Sequence, residues 1–295
     1  MTRRWLAAAL CGGLAVVCAT VLRVEAKDAT SSATSVKTLA QGQVKALPKG
    51  KVFINILEFR QLPGADFGPH AHIPAIVYTV QGVSTISFPG MPSRAAGPGE
   101  AVFIPAQLVH THENLDGRPG AAAIAAGLIG VVLVLCAATL LRGRARQATI
   151  AVTSISLIAI GALPLAGATA DDYYLISVRP VAQRSLPMPR PDGRVAYTSP
   201  DVDPVPTGPY VETLSIITVP AGARYVAPVV AGPQFLAVLQ GSASIQIGSG
   251  IQQVGSGDGI LAEMGDPPSI ANSGSATLQL LDFAVASSPG PPAAS

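Results

Sequence analysis

Two hydrophobic patterns alternate along the chain. Short runs that alternate apolar and polar positions, or stay apolar between glycine and proline, occur at residues 52–59, 76–80, 83–88 and 101–104. A second series follows at 211–219, 235–239, 242–247 and 277–285. A period of two sends alternate side chains to one face, so these runs predict β-strands. Three stretches differ in kind: 5–22, 119–141 and 147–170 are long, apolar and free of charge. The last two exceed the roughly 18 to 20 apolar residues that cross a hydrocarbon core.

These long runs predict a membrane topology. Arg3 and Arg4 precede the first, and Val24, Glu25 and Ala26 follow it, so residues 1–26 are expected to form a signal peptide or an N-terminal anchor helix. Residues 119–141 and 147–170 predict a transmembrane hairpin joined by the loop 142–146. Arg142, Arg144 and Arg146 in that loop, against Asp171 and Asp172 beyond it, place the loop in the cytoplasm and the β-rich lobes on the extracytoplasmic, periplasmic side. The expected protein is multi-pass, with the lipid bilayer as a partner.

The β-rich remainder divides in two. The expected first lobe spans 37–118, a proline-rich connector 180–209, the second lobe 210–286 and a disordered tail 287–295. The lobes repeat one another. Pro63 and Gly64 lead to Gln81 and Gly82 as Pro220, Ala221 and Gly222 lead to Gln240 and Gly241. Gly99, Pro105, His110 and Asn114 recur at the spacing of Gly257, Glu263, Pro268 and Asn272.

Within the first lobe these positions resemble the two motifs of the cupin superfamily. Gly64, His70, His72 and Gly82 match the first, and Gly99, Pro105, His110 and Asn114 the second. The resemblance implies an all-β fold of two duplicated cupin-type barrels, a bicupin of RmlC-like jelly rolls, with the helical hairpin inserted. A cupin barrel needs strands after its second motif, yet Asn114 is followed almost at once by the apolar run. Residues 171–179 are therefore expected to return as the closing strand. Two positions depart from the family: Ala75 stands about where a glutamate ligand is expected, and Gln107 replaces a glycine.

Composition narrows the chemistry. Of 295 residues, 49% are hydrophobic and 12% charged, and the net charge of +2 comes with scattered arginines, so no basic face for nucleic acid exists. Cys11, Cys18 and Cys136 all lie in the apolar runs, which leaves the lobes no disulfide framework. The four histidines of the chain, His70, His72, His110 and His112, all fall in the two motifs. Imidazole nitrogens bind divalent iron, manganese, nickel, copper or zinc, so these four residues predict a metal site, with His112 replacing the missing glutamate ligand. Glu100 and Glu113 are weaker substitutes. In the second lobe the aligned positions are Val229, Ala231 and Pro268, which bind no metal; Arg224, Gln234 and Glu263 are its polar candidates.

Two functions follow from the resemblance. One is a metal-dependent enzyme acting on a small molecule as a dioxygenase-like oxidoreductase or an isomerase. The other is a non-catalytic binding, sensing or structural module of the cell envelope. The sequence singles out no catalytic base, and a homodimer is an open option.

Overall fold

The computed structural model describes residues 33–116, 118, 121–166, 168–188, 190, 192–203 and 208–288. The signal or anchor segment expected over 1–26, and the tail beyond residue 288, lie outside them. In chain order the elements are β1 (Ser35–Val44), β2 (Val52–Gln61), β3 (Asp66–His70), β4 (Ala75–Gln81), β5 (Ser84–Ser87), β6 (Arg94–Ala96), β7 (Ala101–Ile104) and β8 (His110–Glu113). Helices α1 (Ala121–Leu140) and α2 (Gly143–Ala166) follow, then β9 (Asp171–Pro180) and β10 (Gly193–Thr198). The second half holds β11 (Tyr210–Val219), β12 (Arg224–Val226), β13 (Gln234–Gln240), β14 (Ser242–Ile247), β15 (Gly250–Gly255), β16 (Gly259–Ala262), β17 (Ser269–Asn272) and β18 (Leu278–Ser287).

The strands build two β lobes, each a large antiparallel sheet facing a small one. The first lobe has the order β10-β2-β9-β4-β7 against β3-β8-β5-β6, and the second β1-β11-β18-β13-β16 against β12-β17-β14-β15. Period-two burial sorts the side chains of β2 and β9 to two cores. Val52, Ile54, Ile56, Ile176 and Val178 join Tyr210, Leu214, Phe235 and Phe283 in a core shared by the two large sheets. Leu57, Phe59 and Tyr173 face the first lobe's interior with Ile86 and Ile104. The second lobe's interior is filled by aliphatic side chains such as Leu236, Ile245, Ile270 and Leu280.

Two segments sit differently from the expected boundaries. Residues 35–44, mostly counted with the first lobe, form β1, which pairs along its length with β11 of the second lobe's sheet. The stretch 180–209, expected as a connector, contains β10, which pairs with β2. Its hydrophobic signal is weak because an edge strand needs only one buried face.

The helical pair interrupts the first lobe between β8 and β9, and β9 runs between β2 and β4 at the centre of the large sheet. The ends of the insertion are pinned together: the Thr169 hydroxyl donates to Asp116 Oδ2 at 2.8 Å and Asn114 Nδ2 donates to the Thr169 carbonyl at 2.9 Å. The expected transmembrane hairpin does not hold. Among the described residues no helix is long and apolar enough to cross a membrane. Only Leu141 and Arg142 separate the helices, so Arg144 and Arg146 belong to the first turn of α2 rather than to a loop. Thr149, Thr153, Ser154 and Ser156 then interleave its apolar residues. The expectation of a multi-pass membrane protein with extracytoplasmic lobes loses its basis with the hairpin.

Candidate metal centre

The four histidines converge in the first lobe. Their ligand atoms all lie within 4.8 Å of one another. His110 and His112 come from β8, where the period of two turns both rings inward and buries them almost completely. His70 ends β3 and pairs with His110 across the ladder, after an irregularity that lies between Phe67 and His70. His72 stands beyond the strand, in the loop before β4, and its carbonyl accepts a 2.8 Å hydrogen bond from the Gln107 backbone N–H. The rings of His70 and His72 lie 4.4 and 4.7 Å from that of His110, centroid to centroid, and His112 lies 5.0 Å from it. His112 is stacked on Tyr173 at 5.3 Å with the planes 7° apart.

Backbone carbonyls orient three of the rings. Nδ1–H of His70 donates to Gly68 O at 2.9 Å, that of His110 to Leu108 O at 2.8 Å, and that of His72 to Ile73 O. A carbonyl only accepts, so Nδ1 carries the proton and the lone pair of a neutral ring is on Nε2. The Nε2 atoms of His72 and His110 are buried without a hydrogen-bond partner, as is Nδ1 of His112. Burial pushes the His72 imidazole down to about 4, the charges of the other rings adding to it. Burial likewise lowers His110, and it lowers His112 well below the ordinary histidine range. Burial therefore keeps the nitrogens of His72, His110 and His112 neutral at physiological pH, the protonation state that binds metal.

The remaining expected residues separate clearly. Glu100 accepts from the Gly97 backbone N–H at 2.8 Å, and Glu113 pairs with Arg118 at 3.0 Å, so neither carboxylate is committed to the histidines. Ala75 is fully buried and offers only a methyl group. Asn114 ties the strand ends: its Nδ2 donates to Gln61 O, and its Oδ1 accepts from Asp116 N–H at 3.0 Å. Asn272 makes the matching bonds to Val219 O and Gly274 N–H in the second lobe. There Val229 is exposed and Gln234 is hydrogen-bonded to Asp282 at 2.8 Å. No metal-ligating cluster other than the four histidines occurs among the described residues.

No protein-family model matches the chain, and no curated protein matches it. Several solved structures are similar in fold. AerE from Microcystis aeruginosa is 11% identical over 84% of this chain and 98% of its own, with a TM-score of 0.44. The oxalate decarboxylase of Bacillus subtilis, a protein with Mn(II) centres, is 11% identical over 86% of this chain and 78% of its own, with a TM-score of 0.46. YhaK from Escherichia coli is 10% identical over 84% of this chain and 94% of its own, with a TM-score of 0.45.

Gln107, at the position where the cupin motif has glycine, keeps glycine's backbone. Its φ of 58° is the one positive value among the described non-glycine residues, and Gly265 occupies the related turn of the second lobe at 90°. A side chain in the left-handed region is strained, and that of Gln107 is exposed, so its removal sacrifices no packing. Gln107→Gly should raise stability by up to about 1 kcal/mol, read as a higher unfolding midpoint, with the histidine cluster unaffected. A lower midpoint would show that the glutamine side chain supports the loop that carries His72.

Sequence reasoning does not single out Tyr173 as a residue of the site, although its ring stacks on His112. The signal is present in the strand period. Tyr173, Leu175, Ser177 and Arg179 share one face of β9, and Phe53, Asn55 and Leu57 are their ladder neighbours on β2.

Proposed function

We propose that this chain is a cupin-type protein whose first lobe holds one divalent metal ion on His70, His72, His110 and His112. There it acts on a small molecule as a metal-dependent oxidoreductase or isomerase. The observation that carries the proposal is the set of three buried, unpartnered imidazole nitrogens within a four-ring cluster. An unpartnered buried acceptor costs about 1–3 kcal/mol, and three of them on rings of one cluster, whose ligand atoms lie within 4.8 Å of one another, call for a shared ligand.

The residues fit the group. Nε2 of His72 and His110 and Nδ1 of His112 are free to donate, and the carbonyls of Gly68, Ile73 and Leu108 fix the rings that carry the other nitrogens. A bound divalent ion would act as a Lewis acid toward an oxygen-bearing ligand. The protein's own part is to hold His72, His110 and His112 neutral by burial and to exclude water with Phe67, Phe88 and Tyr173, whose rings pack on the histidines. The second lobe, with its aliphatic interior, serves as the structural partner.

The test is elemental analysis of the purified chain. Wild type should retain close to one equivalent of a divalent metal after dialysis, and His72→Ala and His110→Ala should each lose it. His112→Ala should lose most of it as well, because this ring is buried in the cluster. Equal metal content in wild type and in the His72→Ala/His110→Ala double variant would overturn the site.

A further inference from the structure

The duplication supplies an internal comparison. Each lobe ends its central ladder on one pair: Gln61 with Asp171 on β2 and β9, and Val219 with Leu278 on β11 and β18. The same asparagine bond marks both pairs, Asn114 donating to Gln61 O and Asn272 to Val219 O. The left-handed glycines agree: a Cβ on Gly82 would fall 2.9 Å from Asp171 Cα, and one on Gly241 3.2 Å from Leu278 Cα. Two residues beyond those glycines stand Ser84 and Ala243. Thr79 and Val238 correspond too, Thr79 exchanging backbone bonds with Gly99 and Glu100 as Val238 does with Gly257 and Asp258.

In the second lobe Val219, Val238, Ala243 and Leu278 are fully buried in the aliphatic interior. The barrel thus closes on apolar side chains at these four positions. The first lobe places oxygen at all of them. Gln61, Thr79, Ser84 and Asp171 are each at most 1% exposed. Gln61 Oε1, Thr79 Oγ1, Ser84 Oγ and both carboxylate oxygens of Asp171 are buried without a hydrogen-bond partner. The amide of Gln61 already donates to Ala65 O and His112 O, so only its acceptor is left. Among the described residues no cationic side chain pairs with Asp171: Arg60 reaches Asp172 and Arg118 reaches Glu113. Burial pushes the Asp171 carboxyl up to about 7, the nearby Ser84 hydroxyl opposing the rise and the Asp172 and Asp116 carboxylates adding to it.

Orphaned buried oxygens are destabilising, and the second lobe shows that the fold does not require them. Carboxylate, amide and hydroxyl oxygens are ligands for hard cations, and the all-oxygen set distinguishes this layer from the imidazoles. One carboxylate is neutralised by one positive charge, whereas a divalent ion would leave a charge uncompensated in a buried place. We propose that Asp171, Gln61 and Ser84, with Thr79 beside them, form a second interior site of the first lobe, which takes a monovalent alkali-metal cation. Asp171 opens β9 directly after the helical pair, so the cation fastens the returning strand to β2 and β5.

The probe is sodium, added to the metal-stripped full chain at pH 8, above the value to which burial raises Asp171. Sodium chloride should raise the thermal midpoint by about 3–6 °C for each tenfold rise in concentration beyond the dissociation constant, and choline chloride at equal ionic strength should not. Asp171→Asn should abolish the difference between the two salts, as should Asp171→Leu, which copies the second lobe, and Ser84→Ala should reduce it. In sodium NMR the wild type should broaden the resonance and Asp171→Asn should not, a readout that does not depend on how stable either variant is. Equal midpoints in the two salts, a sodium effect that survives Asp171→Asn, or a shift produced by calcium chloride and not by sodium chloride overturns the site.

Discussion

Ile176→Asp should leave the chain without a cooperative unfolding transition, whereas Leu175→Asp, one residue away, should leave a folded but weakened protein. Ile176 is fully buried at the middle of β9, paired with Ile56 on one side and Ile76 on the other, and its side chain enters the core shared by the two large sheets. The substitution removes a buried aliphatic side chain, which costs about 2–5 kcal/mol, and places a carboxylate where no partner exists, which costs several more. Their sum approaches the roughly 5–15 kcal/mol that holds a whole domain together. Leu175 points the other way, toward the first lobe's interior, and is only half-buried, so a charge there can reach water. Urea titrations followed by near-ultraviolet circular dichroism separate the two outcomes. Equal midpoints for the two variants would mean that β9 is not the strand that joins the lobes.

The consequence of β9 extends to the metal centre. Tyr173 lies on its interior face and stacks on His112, so any displacement of the strand moves a wall of the histidine cluster. A fault in the shared core should therefore also lower metal retention.

What is legible in the sequence divides by how strongly burial constrains a residue. The runs 52–59, 76–80, 211–219 and 235–239 lie within β2, β4, β11 and β13, central strands whose two buried faces demand apolar residues on both sides. The histidine constellation is legible because the four histidines of the chain form two His-x-His pairs within the two motifs. Strand β1 escapes recognition, because it is an edge strand whose outward residues, including Lys37 and Gln41, mask the period. β10 is hidden for the same reason among prolines. The helical pair reads as membrane-spanning because two long charge-free runs flank a cluster of arginines. That pattern does not show that α2 takes Arg144 and Arg146 into its first turn. Asn55, Ser177 and Arg179 give no signal of their own because a single polar residue on a strand is usually solvated, and only the ladder shows that the three share one face of the β2–β9 pair.

Glu212→Gln should stabilise the protein at alkaline pH by a few kcal/mol and change it little at pH 4.5. Glu212 is 1% exposed on β11, between Gly42 of β1 and Val285 of β18, on the face that carries Tyr210 and Leu214 into the shared core. Its Oε2 has no hydrogen-bond partner, and burial alone pushes the carboxyl up to about 8 from its ordinary 4.5. Between those two values the folded chain keeps a proton that the unfolded chain has released. More protons on the folded state means that stability falls as pH rises through this window, and the loss is complete above about 8. A tenfold change in proton affinity is worth about 1.4 kcal/mol, which sets the scale at a few kcal/mol once local relaxation is allowed for. Glutamine keeps the shape and cannot ionise, so it removes the slope. Other buried groups titrate as well: His72 falls to about 4, so its contribution to stability is lost as pH drops below 6.5, while Asp282, raised to about 6, loses stability in the same direction as Glu212. Those contributions are common to wild type and variant and cancel in the difference. Denaturant midpoints for both proteins at pH 5, 7 and 9 measure that difference directly. It should widen steadily toward pH 9, and parallel curves would show that Glu212 is solvated in the folded chain and that the contact of β1 with the second lobe is open to water.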